Sequence, residues 1–332
     1  MSSPTILIIK PSSLGDIVHG LLVAQMIKVG LPQSRIDWVC RDIFSPLVAA
    51  CPVVDDVLLF ERHGGPSGFL RLVRDLRRRR YSHVLDMQGL ARSGLIALLA
   101  RADKVLGRSD AREGAALTYN RRAPLPASGR RAHAVAILSE FLPLLGLPRQ
   151  VGPRLPFRME KQKSDRLMPW AIPASPTEPI LIFPESSRVE KNWSGFALLT
   201  DLLIDALPGT PVVWAGARHL TSHQLSIPAL TSSSRFHNLT GKTTLAQLPP
   251  LLAKARLVVG NDSGPLHLAA ALGVPTLALF GPTEPDLYRP YPGDDHQNRI
   301  LRAPQGDFRL LKPATVLDFI RTMLADLNYQ AD

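Results

Sequence analysis

Residues 255–280 confine the fold more than any other stretch of the chain. The apolar run 255–259 leads into the polar turn Gly260-Asn261-Asp262-Ser263-Gly264, then into Pro265-Leu266-His267-Leu268-Ala269-Ala270-Ala271-Leu272, and Gly273 and Pro275 end that segment before the apolar run 276–280. Ser263 suits a helix N-cap, and Pro265 suits the first turn, where its missing N–H costs nothing. Strand, turn, helix, strand is the repeating step of a doubly wound α/β sheet. Free amides at such a helix start favour an anion, and His267 stands about one turn in as a further donor, so the turn is expected to be a phosphate seat. On these residues alone, a well-capped connection describes it too.

The same alternation runs through the rest of the chain. Short apolar runs at 6–9, 36–40, 57–60, 84–85 and 105–107 are separated by helical or turn-rich segments, with helices expected from Gly15, over 89–102 and over 133–145. Prolines at 148, 153, 156, 169, 173, 176 and 179 then break the periodicity, as a linker does. Beyond them the pattern restarts, with strands at 180–183, 212–214, 257–259 and 276–279 and helices over 195–207, 245–253, 265–272 and 313–327. A length of 332 residues suits two domains. The expected organisation is an N-terminal Rossmann-like domain over 1–155, a linker over 156–177, a C-terminal Rossmann-like domain over 178–312, and a last helix within 313–332 that packs back on the N-terminal domain. Two doubly wound α/β domains would face one another across a cleft, with ligands at the carboxyl ends of their strands.

The formal net charge of +11 implies an acidic partner. Nucleic acid is the weakest candidate, because no RNA-recognition or helix-turn-helix signature is present. Part of the excess is Arg77-Arg78-Arg79-Arg80 at the end of an expected helix, where a solvated face and the helix dipole suffice as reasons. Cys40 and Cys51 are the only cysteines, so neither a disulfide framework nor a cysteine zinc site is expected. The N-terminus lacks a secretory pattern and no run of about 18 apolar residues occurs, which points to the cytoplasm.

Three loops carry candidate chemistry. Lys10-Pro11-Ser12-Ser13-Leu14-Gly15-Asp16 joins the first strand to the first helix, and it is neither a Walker loop nor Gly-X-Gly-X-X-Gly. Asp16 there is either a cap for the helix dipole or, with a substrate hydroxyl in reach, a general base. Ser186, Ser187, Arg188 and Lys191 follow the first strand of the second half and offer two hydroxyls and two cations to phosphate oxygens. Gly241-Lys242-Thr243-Thr244 has Phe236 where a Walker motif needs glycine, so Thr244 reads as a helix cap. No Asp-X-Asp pair or His/Cys cluster has metal spacing, and no metal or cofactor is expected.

Four segments together, residues 6–19 (ILIIKPSSLGDIVH), 85–93 (LDMQGLARS), 191–193 (KNW) and 262–283 (DSGPLHLAAALGVPTLALFGPT), resemble the bacterial ADP-heptose:lipopolysaccharide heptosyltransferases, glycosyltransferase family 9. Residues 111–113, 119–121 and 133–135 look most like heptosyltransferase I. The resemblance implies a GT-B fold and an inverting transfer of heptose from ADP-heptose to the Kdo inner core, at the cytoplasmic face of the inner membrane. It assigns Asp16 as the base and Ser186, Ser187 and Lys191 to the diphosphate. Asp262 would contact the sugar, and Ser263, Gly264, Pro265, Leu266 and His267 the phosphates. Ser13, Gly15, Arg62 and Arg112 would face a Kdo-lipid A acceptor. Leu220 stands where a carboxylate holds the ribose in heptosyltransferase I, and the loop after Phe60 has fewer cations than the close relatives, so another nucleotide or acceptor stays open. A non-catalytic nucleotide-binding protein and a sugar-nucleotide epimerase on the same scaffold also stay open.

Overall fold

In the computed structural model the described residues are 3–152, 154–157, 177–217, 233–293 and 296–329. The chain divides into two units, Met1–Arg158 and Met159–Asp332. The first holds strands β1 (Thr5–Ile9), β2 (Arg35–Arg41), β3 (Asp56–Phe60), β4 (Tyr81–Asp86), β5 (Ala102–Arg108) and β6 (Arg121–Ala123). They pair in parallel in the order β3-β2-β1-β4-β5-β6. Its longer helices are α1 (Leu14–Gly30), α2 (Gly65–Leu76) and α3 (Ala91–Leu99). Ile6, Leu7, Ile8 and Ile9 are fully buried, because a central parallel strand is covered on both faces.

The second unit repeats the plan with β7 (Ile180–Phe183), β8 (Val212–Trp214), β9 (Phe236–Asn238), β10 (Leu257–Asn261), β11 (Thr276–Phe280) and β12 (Asn298–Arg302). Their order is β12-β11-β10-β7-β8-β9, again all parallel. The longer helices here are α4 (Phe196–Ala206), α5 (Gly264–Ala271) and α6 (Pro313–Tyr329). In each sheet the order reverses between two central strands, β1 beside β4 and β7 beside β10. The loops leaving such a pair diverge and open a crevice at the carboxyl ends. That topology places the loops after β1, β4, β7 and β10 where ligands bind.

Several expectations need correction. Residues 133–145 form two short helices, Ala134–Ser139 and Phe141–Leu144. Pro143 has no N–H for the carbonyl of Ser139 and its ring would clash there, which breaks a single helix. The C-terminal helix α6 packs on α4, and Val316, Leu317, Ile320, Met323 and Leu324 enter the core of the second unit. Their spacing forms one helical stripe, which the core of the second unit takes. The expected linker lies, over residues 158–176, outside the described residues.

Arg77, Arg78 and Arg80 of the arginine run are exposed, as a solvated face is, while Arg79 turns inward to a structural role. Arg79 Nη1 binds Asp37 Oδ2 at 2.9 Å and Asp56 Oδ2 at 2.8 Å, Arg80 pairs with Asp103, and Arg78 with Asp75. Asp37, fully buried in β2, also accepts from Arg35 Nε and the Tyr81 hydroxyl. Asp37→Ala should therefore lower stability by about 1–3 kcal/mol, because the buried Tyr81 hydroxyl loses its acceptor. Arg79→Ala leaves Asp37 two donors and should lower it less; urea unfolding of both variants checks the order. Cys40 and Cys51 are buried thiols, and burial pushes each up to about 12, which makes them unreactive at neutral pH.

Candidate active site

In the first unit the loop after β1 brings Lys10 against Asp16. Lys10 Nζ lies 3.1 Å from Asp16 Oδ1, with the lysine side chain 3 % exposed and the aspartate 42 %. Asp16 sits in the first turn of α1, and its Oδ2 accepts from Ser13 N at 3.0 Å and Ser13 Oγ at 2.8 Å. Burial works to raise the Asp16 carboxyl, but the Lys10 ammonium and the two Ser13 donors outweigh it and hold the group well below the ordinary carboxylate range. Burial pushes Lys10 down, with Asp16 pulling the other way. The carboxylate is thus ionised, anchored on one side and reachable by solvent.

The loop after β4 is built on Asp86, which is fully buried. It accepts from Gln88 N and Gly89 N at 3.0 Å each, from Ser93 Oγ at 2.8 Å and from Tyr119 Oη at 2.7 Å. Burial raises its pKa against those four donors. Tyr119 reaches it by lying over Gly107, where a Cβ would stand 2.1 Å from the ring. Beside these loops lies a cavity of about 520 Å³, lined among others by Pro11, Arg41, Phe60, Arg62, Gln88 and Arg92. Of the residues expected to face an acceptor, Arg62 lines this cavity and Ser13 bonds to Asp16. Gly15 is buried in α1, and Arg112 is exposed with its N–H on Gly89 O.

In the second unit Asn261 ends β10 fully buried. Its Oδ1 accepts from Trp193 N at 3.0 Å and its Nδ2 donates to Pro184 O at 2.9 Å. Both ends of the loop after β7 are thereby tied to the neighbouring strand, and Asn192 Oδ1 holds Ser186 N inside it at 2.7 Å. Lys191 Nζ then meets Asp262 Oδ2 at 2.5 Å, with side chains 15 % and 6 % exposed. Thr283 Oγ1 donates to the same oxygen. Ser263 is the N-cap of α5, and its Oγ is buried with no hydrogen-bond partner. Gly264, Pro265 and Leu266 form the first turn, and His267 is buried behind it. Gly260 admits no side chain, since a Cβ would stand 2.8 Å from Leu266 and from the Phe183 carbonyl; that close approach seats α5 on the sheet. Ser187 and Arg188 are exposed, and Ser186 Oγ donates to Arg188 O. Lys191, Asp262 and Ser263 are therefore brought together, while Leu220 lies outside the described residues.

The sequence profile of Glycosyltransferase family 9 (heptosyltransferase) matches residues 69–314, most of the chain. The chain belongs to glycosyltransferase family 9. It is a glycosyltransferase with the α/β architecture of GT-B enzymes. Lipopolysaccharide heptosyltransferase 1 of Pseudomonas aeruginosa is 29 % identical over 297 residues, covering 84 % of this chain and 79 % of that protein. Lipopolysaccharide core heptosyltransferase OpsX of Haemophilus influenzae is 26 % identical over 293 residues, covering 86 % and 81 %. Among solved structures, Escherichia coli heptosyltransferase WaaC with ADP superposes with a TM-score of 0.78 at 24 % identity, over 96 % of this chain and 99 % of that one. A family 9 glycosyltransferase from Veillonella parvula gives 0.83 at 20 % identity, over 97 % of each; at these identities the likeness speaks for the fold.

Within this glycosyltransferase, sequence reasoning passed over Lys10, Asp86, Tyr119 and Asn261 as working residues. Each is a polar side chain at a strand end or facing one; Tyr119 and Asn261 bond to residues far along the chain, Asp86 to near and distant donors together, and Lys10 to Asp16 across the folded loop. The legible signal was position: Lys10 and Asn261 directly precede or lie inside the loops already singled out.

Proposed function

We propose that this enzyme transfers heptose from ADP-heptose to the Kdo region of a lipopolysaccharide inner-core acceptor, with inversion. The carrying observation is Ser263 Oγ, buried and unpartnered at the start of α5 beside Lys191. A buried hydroxyl left unpaired at a helix N-terminus is the arrangement a phosphate oxygen satisfies. Support comes from the family and from relatives named as lipopolysaccharide heptosyltransferases, and from WaaC structures holding ADP and ADP-2-deoxy-2-fluoro heptose.

In this reading the acceptor hydroxyl oxygen attacks the anomeric carbon, its proton passes to Asp16, and the bond from the anomeric carbon to the β-phosphate oxygen breaks with its electrons going to ADP. Lys191 and the amides of Ser263 and Gly264 meet the charge developing on the leaving diphosphate, with Ser186, Ser187 and Arg188 on the same loop system. Asp262 takes a hydroxyl of the heptose. Ser13, Gly15, Arg62 and Arg112 serve the acceptor. The net charge of +11 would draw the enzyme to an anionic lipid acceptor and to the anionic cytoplasmic leaflet as a peripheral protein. No helix among the described residues is long and apolar enough to cross a membrane.

Incubation with ADP-heptose and a Kdo-bearing acceptor should yield ADP and a product heavier by one heptose in mass spectrometry. Transfer from a uridine-linked sugar with none from ADP-heptose would overturn the donor, and product from donor alone would indicate an epimerase instead. The Lys10–Asp16 pair adds a pH prediction. A carboxylate held below its ordinary pKa stays a competent base as the pH falls, until its own folded-state value is reached. Lys10→Met removes the cation and leaves the burial, so the acid limb of kcat/KM should move up toward neutral pH. An unmoved limb would separate Lys10 from the base.

A further inference from the structure

Helix α3 has two faces of opposite character. Ile96 and Ala97 enter the core of the first unit, whereas Leu95 and Leu98, about one turn apart, stand 44 % and 60 % exposed. The short turn of residues 115–118 is seated on this helix at Gly94, where a Cβ would stand 3.1 Å from Ala115 and from Thr118 Oγ1. Leu98 lies one turn further along that side of the helix. Ala115 is buried, and Leu117 at the apex is 88 % exposed, the most exposed large apolar side chain among the described residues. The apex is held in place: Leu117 N donates to Gly114 O at 3.1 Å and Thr118 Oγ1 to Ala115 O at 2.8 Å. A single exposed leucine is ordinary, but three on two packed elements make a patch that marks an interaction surface. Exposed arginines flank it. Arg122 Nη2 lies 3.5 Å from Ala116 O, Arg121 precedes it on the edge strand β6, and Arg101 follows the end of α3. Among the described residues none of these three has a carboxylate partner, and the nearby Asp103 and Asp110 are paired with Arg80 and Arg108.

We infer that Leu95, Leu98 and Leu117 form the surface that docks this protein on an anionic lipid bilayer, with Arg101, Arg121 and Arg122 at the level of the lipid phosphates. Apolar side chains that enter the acyl boundary, bordered by cations without counter-ions, are the composition of an interfacial anchor. Arginine suits the border, because its stem can lie along apolar surface while its head stays at the phosphates. A second copy of the chain fits less well, since a two-fold contact through this patch would set arginines against arginines. The first turn of α3 also lines the cavity that Pro11 and Ser12 share, so the docked helix adjoins the loop that carries Asp16. The inference rests on the peripheral reading above and adds to it the surface that makes the contact.

Flotation of the intact protein with vesicles tests the surface, using equal parts phosphatidylglycerol and phosphatidylcholine in one arm and phosphatidylcholine alone in the other. The parent should float with the anionic vesicles, far less with the neutral ones, and less as salt is raised. Leu117→Asp should lower the partition coefficient about tenfold or more, because an apolar side chain no longer leaves water. Arg121→Gln with Arg122→Gln should lower it about thirtyfold, from about fivefold per arginine. Leu198→Asp, at an exposed position on α4 of the second unit, should leave it unchanged. Thermal unfolding confirms that each variant is folded, and Leu117→Ser, small and uncharged, should move partition in the same direction as the aspartate. A parent that ignores anionic vesicles or binds neutral ones equally well, a Leu117→Asp protein that floats like the parent, or a Leu198→Asp protein that falls as far overturns the inference. A parent dimer in sedimentation that Leu117→Asp converts to monomer, with flotation unmoved, overturns the bilayer in favour of a second copy. Flotation reads no transfer. A protein that floats through Leu117 yet transfers nothing from ADP-heptose therefore refutes the proposed reaction alone, and one that transfers heptose to a soluble Kdo acceptor without floating refutes this surface alone.

Discussion

The Asp16→Ala enzyme should turn over about 10²- to 10⁴-fold more slowly than the parent, the usual contribution of a positioned general base, with ADP-heptose affinity unchanged within a few-fold. The separation of the two readouts follows from the fold. Asp16 belongs to the loop after β1 of the first unit, whereas Lys191, Asp262 and Ser263 belong to the second. Alanine also removes two hydrogen bonds from Ser13 and the partner of a buried ammonium. The Lys10 pKa is already lowered by burial, so the amine can shed its proton rather than remain a buried unpaired charge. Asp16→Asn is the cleaner variant, because its amide oxygen still accepts from Ser13 and keeps the first turn of α1 capped. Equal loss of turnover in both variants, with thermal unfolding close to the parent, assigns the effect to the base. Turnover equal to the parent would remove Asp16 from the mechanism.

Much of the fold was legible because central parallel strands are buried on both faces. Residues 180–183 and 212–214 read as strands from their apolar runs alone, and the structure has them at Ile180–Phe183 and Val212–Trp214. The strands that escaped, β6, β9 and β12, are all at sheet edges. Their sequences, Arg121-Arg122-Ala123, Phe236-His237-Asn238 and Asn298-Arg299-Ile300-Leu301-Arg302, carry the charge and polarity that keep an exposed edge from pairing with another chain. Nothing in an apolar-run reading detects them. Periodicity likewise shows that α6 has an apolar stripe, but not which core takes it.

The candidate site was legible where chemistry and local turn geometry coincide. Asp262 and Ser263 announced themselves because a polar turn, an N-cap and a proline fall in consecutive positions. Asp86 and Asn261 did not, because part of what fixes them lies far along the chain, Tyr119 for Asp86 and Pro184 for Asn261, and Lys10 did not because its pairing with Asp16 depends on how the loop after β1 folds. A buried polar residue at a strand end looks, in sequence, like an interruption of an apolar run. Arg41 illustrates the limit: as the last residue of β2 it reads as a charged strand terminus, and only the structure shows its Nε buried without a hydrogen-bond partner.

Lys191→Ala should raise the Kd of ADP-heptose about ten- to a hundredfold, the loss expected when a charge-assisted hydrogen bond to phosphate is removed. The resting pair makes that result separable from a folding defect. With Lys191 gone, Asp262 is left nearly buried with the Thr283 hydroxyl as its remaining side-chain donor. Breaking a buried pair costs about 3–5 kcal/mol, and the residual exposure of Lys191 places this one at the low end. Lys191→Met combined with Asp262→Asn leaves no unpaired charge, so stability should return while donor affinity does not. Asp262→Asn alone sharpens the division of labour further. It frees Lys191 for phosphate, so ADP should bind as tightly as in the parent or more tightly, yet ADP-heptose should lose its advantage over ADP because the carboxylate that takes the sugar hydroxyl is gone. Titration of ADP and ADP-heptose against all three proteins reads both effects. Donor affinity unchanged in Lys191→Ala would remove the lysine from the phosphate seat, and an undiminished preference for ADP-heptose in Asp262→Asn would remove the aspartate from the sugar.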